Sequence, residues 1–493
     1  MNDQMQNPEL SPLTAKAQQS MGRAARKQLS RGGFGRYALN PLNRDPVELL
    51  RQQEATRIAA FLPLRHQRMA QSAFAFYRGT ALLMAHDLAT DRPQSGINVQ
   101  LCGDAHLANF GFFAAPNRSV LFDINDFDET HPGPFEWDLA RLSVSLALAL
   151  RDNGLDSRDR EARLVTQLIT SYQAAMHRFS DMAEMDIWNE HPDERWIQKT
   201  LRSFSNPKAQ AAFSGYLSKA RARGRWTSIV KLTDCHQGVR RFLDLPPLLI
   251  RIPHGPIELE RQQGLFNDYL ASLDRATQTL LSRYQIIDIG HKLVGVGSVG
   301  LAAYVYLLQG RRADDLLVLQ AKESVASVIA PFSKTPWPQP EGLRIVSGQR
   351  IMQASGDLAL GWLRGPLGRD FYIRQLRDMK YQPDLSRLKL SGFETLAGLC
   401  GMTLARAHAR SGRSSMIAAY LGQSPRFAHG LMSFTEAYLD QVAEDFARFK
   451  SAIEQGELAA SEGDILPPTF IANPWNGILI EGRQPPGAQP ASR

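Results

Sequence analysis

The spacing of apolar residues divides the chain into a helical block, a strand-rich block and a second helical block. Helical spacing is clearest in PVELLRQQEATRIAAFLPL, which Asp45 and Pro46 are suited to open, in WDLARLSVSLALALRDNG and in FETLAGLCGMTLARAHARSG. The runs INVQLC and SVLFDIND are typical of short strands. Beyond Tyr284, strand-like runs predominate in YQIIDIGHK, LAAYVYLLQG, LLVLQAKES, GLRIVSGQRIM and FYIRQL. This order predicts an α+β protein of two lobes, with the first and last helical blocks in one lobe.

Changes of pattern and composition set the segment boundaries. At 493 residues, the chain is long enough for about three domains or lobes. We predict a flexible basic tail (1–45), a first part of the helical lobe (46–157), a mostly helical insertion (158–283), a sheet lobe (284–383), helices that complete the helical lobe (384–465) and a terminal tail (466–493).

Composition excludes several classes of protein. Hydrophobic residues make up 43% of the chain and charged residues 22%, as in ordinary globular proteins. No apolar run reaches the roughly 18 residues of a membrane span, and the three cysteines are too far apart for a disulfide framework. The first residues contain no apolar signal core, so we expect a cytoplasmic protein without a membrane partner.

Positive charge is concentrated in two stretches of a chain whose net charge is +8. Residues 199–251 contain eleven Lys and Arg and two acids, and residues 1–45 contain seven basic and three acidic residues. Such stretches are typical of surfaces that meet phosphates, on nucleotides or nucleic acids, and equally of a solvated basic face. The stretch 199–251 has no regular interleaving of aromatic residues, so nucleic acid is the less favoured partner.

The nonapeptide GDAHLANFG places Asp104 and Asn109 five residues apart on a loop flanked by glycines. A carboxylate and an amide at this spacing can converge on one site. The carboxylate can orient or deprotonate a hydroxyl, and the amide oxygen can bind a hard cation. The alternative is that both residues cap turns.

A second acidic motif, FDINDFDE, follows at the end of a predicted strand. It contains four carboxylates, Asp123, Asp126, Asp128 and Glu129. Because clustered carboxylates repel each other, we expect a compensating cation, and magnesium suits oxygen ligands and accompanies phosphate chemistry. The alternative is a group of turn-forming residues.

A glycine-rich loop, GVGSVG, lies between two predicted strands and contributes Gly295, Gly297 and Gly300. A dinucleotide-binding loop would be followed by a helix, whereas this loop is followed by a strand, a turn and a third strand that carries Lys322. Strand, glycine loop and strand, with a lysine on the third strand, is how a protein kinase binds ATP phosphates. The alternative is an ordinary hairpin and a lysine at a strand end.

Together these motifs resemble the catalytic core of the aminoglycoside-phosphotransferase and protein-kinase superfamily. The resemblance implies that Asp104 is the base or orienting carboxylate and that Asn109 and Asp126 bind magnesium, with Asp123 as the rival of Asp126. It also implies a structural role for Asp138, which would accept backbone hydrogen bonds beneath the loop.

For the glycine loop, the resemblance implies that Gly295, Gly297, Gly300 and Lys322 hold the triphosphate of ATP. The helix glutamate that pairs with this lysine in kinases is not evident. Glu323 points away from Lys322 on a regular strand, and Glu341 is a weak candidate.

The motifs occur in the reverse of the kinase order, since the catalytic loop precedes the glycine loop by about 190 residues. Either one motif is accidental or the fold is circularly permuted. LARAHARSG, near residues 404–412, resembles the helix that runs into the catalytic loop of antibiotic kinases. A permutation would therefore place this helix beside Cys102, Gly103 and Asp104.

Over the whole chain, from about residue 45 to 455, the sequence resembles a bacterial family known as domain of unknown function 2252. The resemblance rests on AFYRG, CGDAHLANFG, FDINDFDETHPGPFEWDLARL, VGVGSVG, LQAKES, GQRIMQ, FYIRQLRDMK and LARAHARSG. This family implies bacterial relatives but no biochemical activity.

The sequence thus predicts a kinase-like α+β protein that uses ATP and magnesium to transfer phosphate to a hydroxyl of a small molecule or protein. Three alternatives stay open: a non-catalytic nucleotide-binding pseudokinase, a nucleotidyl transferase on the same fold, and a basic nucleic-acid-binding protein.

Overall fold

The structure is a computed structural model. It describes residues 13–36, 44–90, 93–204, 207–222, 225–236, 239–246, 248–252, 255–293, 297, 299–365, 368–376 and 379–461. The predicted terminal tail and Gly295 lie outside these residues.

Helices form most of the described chain. The N-terminal helices are α1 (Ala15–Ala25), α2 (Pro46–Glu54), α3 (Leu62–Met69), α4 (Ala73–Gly79), α5 (Ala81–Ala89) and α6 (Phe135–Asp152). The central helices are α7 (Arg158–Ser180), α8 (Glu184–Asn189), α9 (Glu194–Phe204), α10 (Pro207–Ala222), α11 (Arg225–Leu232), α12 (Pro256–Leu270) and α13 (Arg275–Leu281). The C-terminal helices are α14 (Glu341–Met352), α15 (Leu390–Ser411), α16 (Ser414–Leu421) and α17 (Arg426–Glu454).

The strands form one large sheet and three hairpin-like pairs. The short pairs use β1 (Asn98–Leu101), β2 (Phe110–Ala114), β3 (Val120–Ile124), β4 (His131–Pro134), β5 (Thr233–His236) and β6 (Val239–Phe242). The large sheet uses β7 (Leu249–Arg251), β8 (Gln285–Lys292), β9 (Ala303–Gln309), β10 (Leu316–Ser324), β11 (Gly361–Arg364) and β12 (Asp370–Gln375). The predicted combination of helices and a sheet in one α+β protein is confirmed.

A helical body surrounds α6, which is buried along almost its whole length. Its apolar residues pack with those of α7, α15 and α17 in one core. The helices α7 and α15 approach closely at Gly401, where a Cβ would lie 2.3 Å from the carbonyl oxygen of Leu168. Glycine is required at this crossing because any side chain would displace one of the two helices.

The large sheet is antiparallel, with strand order β11-β12-β10-β9-β8-β7. One face packs against α12 and α13 through Phe266, Tyr269 and Leu281. The other face packs against α11 and β6 through Ile229 and Phe242. Both faces are therefore covered, which explains why β9 and β10 are apolar along nearly their whole length.

Two segments differ from the sequence prediction. GLRIVSGQRIM, predicted as a strand, is part of helix α14. The prediction was wrong because the apolar run is short, and periodicity alone does not distinguish a strand from a helix in so short a segment. The described part of the predicted flexible tail forms helix α1, which packs against α16. Arg26 and Arg31 there donate hydrogen bonds to the carbonyl groups of Tyr420 and Leu421 at the end of α16.

The predicted helix after Asp45 is correct at its start, since Asp45 accepts a hydrogen bond from the Val47 backbone at 2.9 Å. It ends at Glu54, and α3 continues after a turn.

Within the predicted insertion, α7 packs along α15 and so contributes to the helical body. No helix among the described residues is long and apolar enough to cross a membrane.

Candidate functional site

A polar cavity of about 330 Å³ opens where the large sheet faces the loops that follow β1 and β3. It brings together five of the residues that the sequence singled out, although they are far apart in the chain. These five residues are Asp104, Asn109, Asp126, Gly297 and Lys322. Further side chains complete the lining: Arg78, Cys102, His106, Ala108, Asp128, Glu129, Lys292, Gln320, Arg374, Leu376, Lys380 and Gln382.

The loop after β1 is held from below by Asp138, in the first turn of α6. The Asp138 carboxylate accepts hydrogen bonds from the backbone N–H groups of Cys102 at 2.7 Å and Gly103 at 3.0 Å. Gly103 has a φ of +80°, and a Cβ there would lie 2.0 Å from the carbonyl oxygen of Glu129. The two acidic motifs are thus in close contact at Gly103, where a larger residue would clash.

Asp104 is ion-paired on one side and open on the other. Its Oδ1 accepts a hydrogen bond from Nε of Arg141 at 2.9 Å. Its Oδ2 accepts no hydrogen bond from any described residue and lies 3.7 Å from Nε2 of His106. Burial lowers the pKa of His106 to about 4, so this ring is neutral at pH 7. One carboxylate oxygen therefore remains for a hydroxyl group of a ligand.

Asn109 is oriented by the same loop. Its side-chain N–H donates to the backbone carbonyl of Asp104 at 2.7 Å, and the backbone carbonyl of Asn109 accepts from the Asn125 backbone N–H at 2.7 Å. The amide nitrogen is thereby used within the loop, which leaves the side-chain oxygen as the group that can bind a cation.

Lys322, on the central strand β10, forms the ionic centre of the cavity with two aspartates. Its ammonium group donates a hydrogen bond to Asp128 and lies 3.9 Å from Oδ2 of Asp126. Burial would lower the pKa of Lys322, but the two carboxylates outweigh burial and raise it. The sheet and the acidic motif after β3 are therefore joined through this cluster.

The two aspartates are not equivalent. Burial opposes the ionisation of Asp126, yet the charges of Lys322 and Arg374 outweigh burial and hold its pKa well below the usual value. Burial and the neighbouring Asp126 raise the pKa of Asp128, which also accepts a hydrogen bond from the Tyr372 hydroxyl at 3.0 Å. Asp126 is about one-third exposed (34%) to the cavity, so it is the carboxylate available to a ligand.

Asp123, the rival metal ligand, points away from the cavity. Its carboxylate is fully buried and accepts hydrogen bonds from Arg406 on α15 at 2.6 and 2.7 Å. It also accepts from the backbone N–H groups of Ile124 and Ala354. These bonds use both oxygens to join β3 to α15.

The described part of the glycine loop is fixed by two arginines that follow α2. Arg57 donates to the carbonyl groups of Gly297 at 2.7 Å and Val299 at 2.6 Å, and Arg65 donates to Gly297 at 3.4 Å. Gly300 has a φ of +96°, and a Cβ there would lie 2.9 Å from Cβ of Arg57. Gly297 lines the cavity, whereas Gly300 shapes the turn behind it.

Several lining residues were not assigned a role from the sequence. Arg374, which is a charged residue within an otherwise apolar strand, faces the cavity, and this contrast in FYIRQL was the available signal. Arg78 is likewise a charged residue within a mostly apolar segment, AFAFYRG. Lys292 and Gln320 carry no such signal, because a strand end and an alternating strand position are common places for polar residues.

Metal binding by protein side chains alone is not supported by the arrangement. Within the described ranges, no three His, Cys, Asp or Glu side chains are grouped so that they could hold a metal ion. Asn109 and Asp126 each place one side-chain group with oxygen atoms at the cavity, and magnesium commonly takes most of its ligands from water and phosphate.

The fold and the cavity define a class: an α+β protein in which a sheet lysine and loop carboxylates from a helical body share one polar cavity. Residues 57–452 match the family described as an uncharacterized protein conserved in bacteria (DUF2252), and the chain belongs to that family. The resemblance to domain of unknown function 2252 is thus confirmed. No curated protein and no solved structure matches this chain.

Proposed function

We propose that this protein is an ATP- and magnesium-dependent phosphotransferase of the kinase-like class, which acts on a hydroxyl group of a small molecule or protein. The observation that carries the proposal is the shared cavity. Asp104 and Asn109 of one loop, Asp126 of the next and Lys322 of the second strand after the glycine loop all line it. These are the residue types that phosphoryl transfer from ATP requires.

The kinase-like fold and its circular permutation are part of the proposal. The glycine loop joins β8 to β9, Lys322 lies on β10, and helix α14 follows and packs against β10 and β12. The end of α15 lies beside β1, where Ser411 accepts a hydrogen bond from the Gln100 backbone at 3.1 Å. A permuted chain would bring this helix to this place, immediately before the catalytic loop.

In this mechanism the acceptor hydroxyl hydrogen-bonds to Oδ2 of Asp104. Its oxygen forms a bond to the γ-phosphorus of ATP, the bond from that phosphorus to the β,γ-bridging oxygen breaks, and ADP leaves with the electron pair. The hydroxyl proton passes to Asp104 and then to solvent. Lys322 and the glycine-loop backbone neutralise and position the phosphates.

Asn109 and Asp126 would hold magnesium together with phosphate oxygens. Magnesium would supply positive charge at the phosphates, where negative charge is concentrated. The low pKa of Asp126 suits this role, because a carboxylate that is ionised at all physiological pH values needs no proton removed before it binds a cation.

A second candidate is a nucleotide-binding protein without turnover. The only carboxylate of α14, Glu341, pairs with Arg344 and not with Lys322, whose partners are instead Asp126 and Asp128. In this arrangement the charge of the lysine is neutralised by the second acidic motif, including the aspartate assigned to magnesium, and not by a helix glutamate. ATP binding would then have to displace the lysine for turnover to occur.

A thermal-shift titration with ATP, ADP, GTP and NAD, each with and without magnesium, tests the nucleotide site. Ligands that bind the native protein raise its melting midpoint. We expect a magnesium-dependent rise with ATP that Lys322→Met weakens and that the exposed-site control Lys199→Met leaves unchanged. No shift with any nucleotide would contradict both candidates.

An assay of ADP release with mass analysis of the products then separates the candidates. Asp104→Asn keeps the size of the side chain and should abolish turnover while nucleotide binding persists. ATP binding by the wild type without any ADP release would favour the non-catalytic candidate. A product heavier by AMP would instead identify nucleotidyl transfer.

A further inference from the structure

The cavity contains one arginine with an environment unlike that of the others. Arg78, near the end of α4, lines the cavity close to the glycine loop, since its carbonyl oxygen lies 3.7 Å from the position of a Cβ on Gly297. The largest electrostatic influences on it after burial are Asp104 and Asp126. It therefore lies at the end of the cavity that Asp104 occupies.

Arg78 makes no hydrogen bond and no ion pair with any described residue. Its Nε is excluded from solvent and has no hydrogen-bond partner. Its guanidinium group lies over the Phe74 ring, 5.9 Å from the ring centre. Arg78 is half-buried, and burial lowers its pKa although Asp104 and Asp126 act in the opposite direction. A largely desolvated cation without an ion-pair partner is costly.

The neighbouring arginines, unlike Arg78, hydrogen-bond to groups of the protein. Arg141 binds Asp104 and the carbonyl of Tyr77, and Arg57 and Arg65 bind glycine-loop carbonyl groups. Arg78 supports no loop and no helix in this way. Its position is explained by a group that is supplied from outside the chain.

Three other cations of the cavity are linked to the second acidic motif or to one another. Lys322 pairs with Asp128, and Arg374 acts on Asp126 and Asp128. Lys292 lies near Arg374, which together with burial lowers the pKa of that lysine. In the proposed function these three groups meet the triphosphate, whereas Arg78, on which Asp104 is the largest influence after burial, is available to a group beside the reacting hydroxyl.

We propose that the acceptor of this phosphotransferase carries an anionic group, a phosphate or a carboxylate, next to its reacting hydroxyl, and that Arg78 binds it. The inference rests on the proposed function and specifies its substrate class. A guanidinium group offers two parallel N–H donors that match such an anion. An amine-rich acceptor would be repelled by the same group.

The test uses the full chain saturated with magnesium and adenylyl imidodiphosphate, an ATP analogue whose γ position is filled and is not transferred. Inorganic phosphate is titrated into this complex, with sodium chloride at equal ionic strength as the blank, and binding is followed by calorimetry. We expect phosphate to bind the wild-type complex and to bind Arg78→Gln about tenfold more weakly or worse, because a charge-assisted pair is lost.

The controls separate this role from others. Arg78→Lys should retain part of the phosphate affinity, and Arg275→Gln, at an exposed position on α13, should retain all of it. The affinity for the ATP analogue should be the same in Arg78→Gln and wild type. The melting midpoint of ligand-free Arg78→Gln should be equal to that of the wild type or higher, whereas a structural role would lower it.

Three outcomes would overturn the inference. The first is equal phosphate binding by wild type and Arg78→Gln, and the second is no phosphate binding by the wild-type complex. The third is an Arg78-dependent phosphate effect with ADP that disappears with the ATP analogue, which would assign Arg78 to the transferred phosphate. Failure of the ATP analogue itself to bind would instead reject the proposed function, and the acceptor assignment with it.

Discussion

Replacing Lys322 by methionine tests the ionic cluster at the centre of the cavity. The lysine is 3% exposed, donates a hydrogen bond to Asp128 and lies 3.9 Å from Asp126. Methionine keeps most of the apolar stem but leaves two carboxylates without their cation. Removing one partner of a buried ion pair typically costs about 3–5 kcal/mol, because the remaining charge stays buried.

The cost should be smaller here than for a fully enclosed pair. The side chains of Asp126 and Asp128 are 34% and 18% exposed, so water screens the charges that are left. Arg374 also remains near both carboxylates. We therefore expect Lys322→Met to lose about 2–3 kcal/mol of folding free energy at pH 8.

The loss should depend on pH, and its direction follows from the two pKa values. Lys322 helps to lower the pKa of Asp126, so the stability that this ionised carboxylate contributes is present above its unfolded value and is lost as pH falls. Without the lysine, the already raised pKa of Asp128 rises further, and protonation at pH 5 removes the unpaired charge. The destabilisation should then decrease to about 1 kcal/mol.

Thermal unfolding followed by circular dichroism at pH 8 and pH 5 measures this difference. For a chain of this length we expect the midpoint of Lys322→Met to fall by about 2–3 °C at pH 8 and by clearly less at pH 5. Adding Asp128→Asn should restore about half of the loss, since the two residues interact directly. The exposed control Lys199→Met should leave the midpoint unchanged. An unaltered midpoint at pH 8, or an equal loss at both pH values, would refute the reasoning.

The remaining predictions concern a metal ligand, the glycine loop and a buried histidine. Asp126→Asn should abolish the magnesium dependence of ATP binding, whereas Asp123→Asn, which breaks a buried pair with an arginine of α15, should lower the melting midpoint and leave that dependence intact. Gly300→Ala should lose about 1–2 kcal/mol because φ is +96° and its Cβ would lie 2.9 Å from a side-chain carbon, whereas Gly297→Ala, whose Cβ has a nearest neighbour at 3.7 Å, is the matched control in the same melting assay. Burial lowers the pKa of His291 to about 4, so the stability that depends on its neutral form is lost as pH falls from about 6.5 to 4. His291→Phe should remove about 2 kcal/mol of acid destabilisation at pH 5, measured as a smaller difference between the midpoints at pH 7.5 and pH 5.

The acidic part of the site was predictable because its geometry is local. Asp104 and Asn109 are joined by a hydrogen bond within one short loop, and Asp138 supports that loop from the first turn of the helix that the sequence predicts. The spacing of these residues within short segments was therefore enough to predict that they lie together. Lys322 could be placed in the same cavity only through a resemblance, since nothing local relates it to residues about 190 positions earlier.

The remaining features depend on contacts between distant parts of the chain. Arg78 reaches the cavity because α4 packs beside α6, and sequence spacing does not encode that contact. Helix α14 was predicted as a strand because GLRIVSGQRIM is short and rich in branched residues, which leaves helix and strand equally compatible with its pattern. The pairing of Asp123 with Arg406 likewise joins segments that are 283 residues apart.

Helix α15 is connected by hydrogen bonds to the loop that carries Asp104, although the helix comes much later in the sequence. The reversed order of the motifs is therefore compatible with the function that we propose. A line of buried hydrogen bonds runs from Tyr172 to His408 at 2.9 Å, from His408 to Asp138 at 3.2 Å, and from Asp138 to the backbone of Cys102 and Gly103. Three helices, α7, α15 and α6, thus fix the loop from below, and none of them precedes it in the sequence. The position of Asp104 is therefore determined by packing and hydrogen bonding rather than by the peptide that leads into it. In the permuted kinase-like fold that we propose, this support would replace the covalent connection between the loop and the helix that otherwise leads into it.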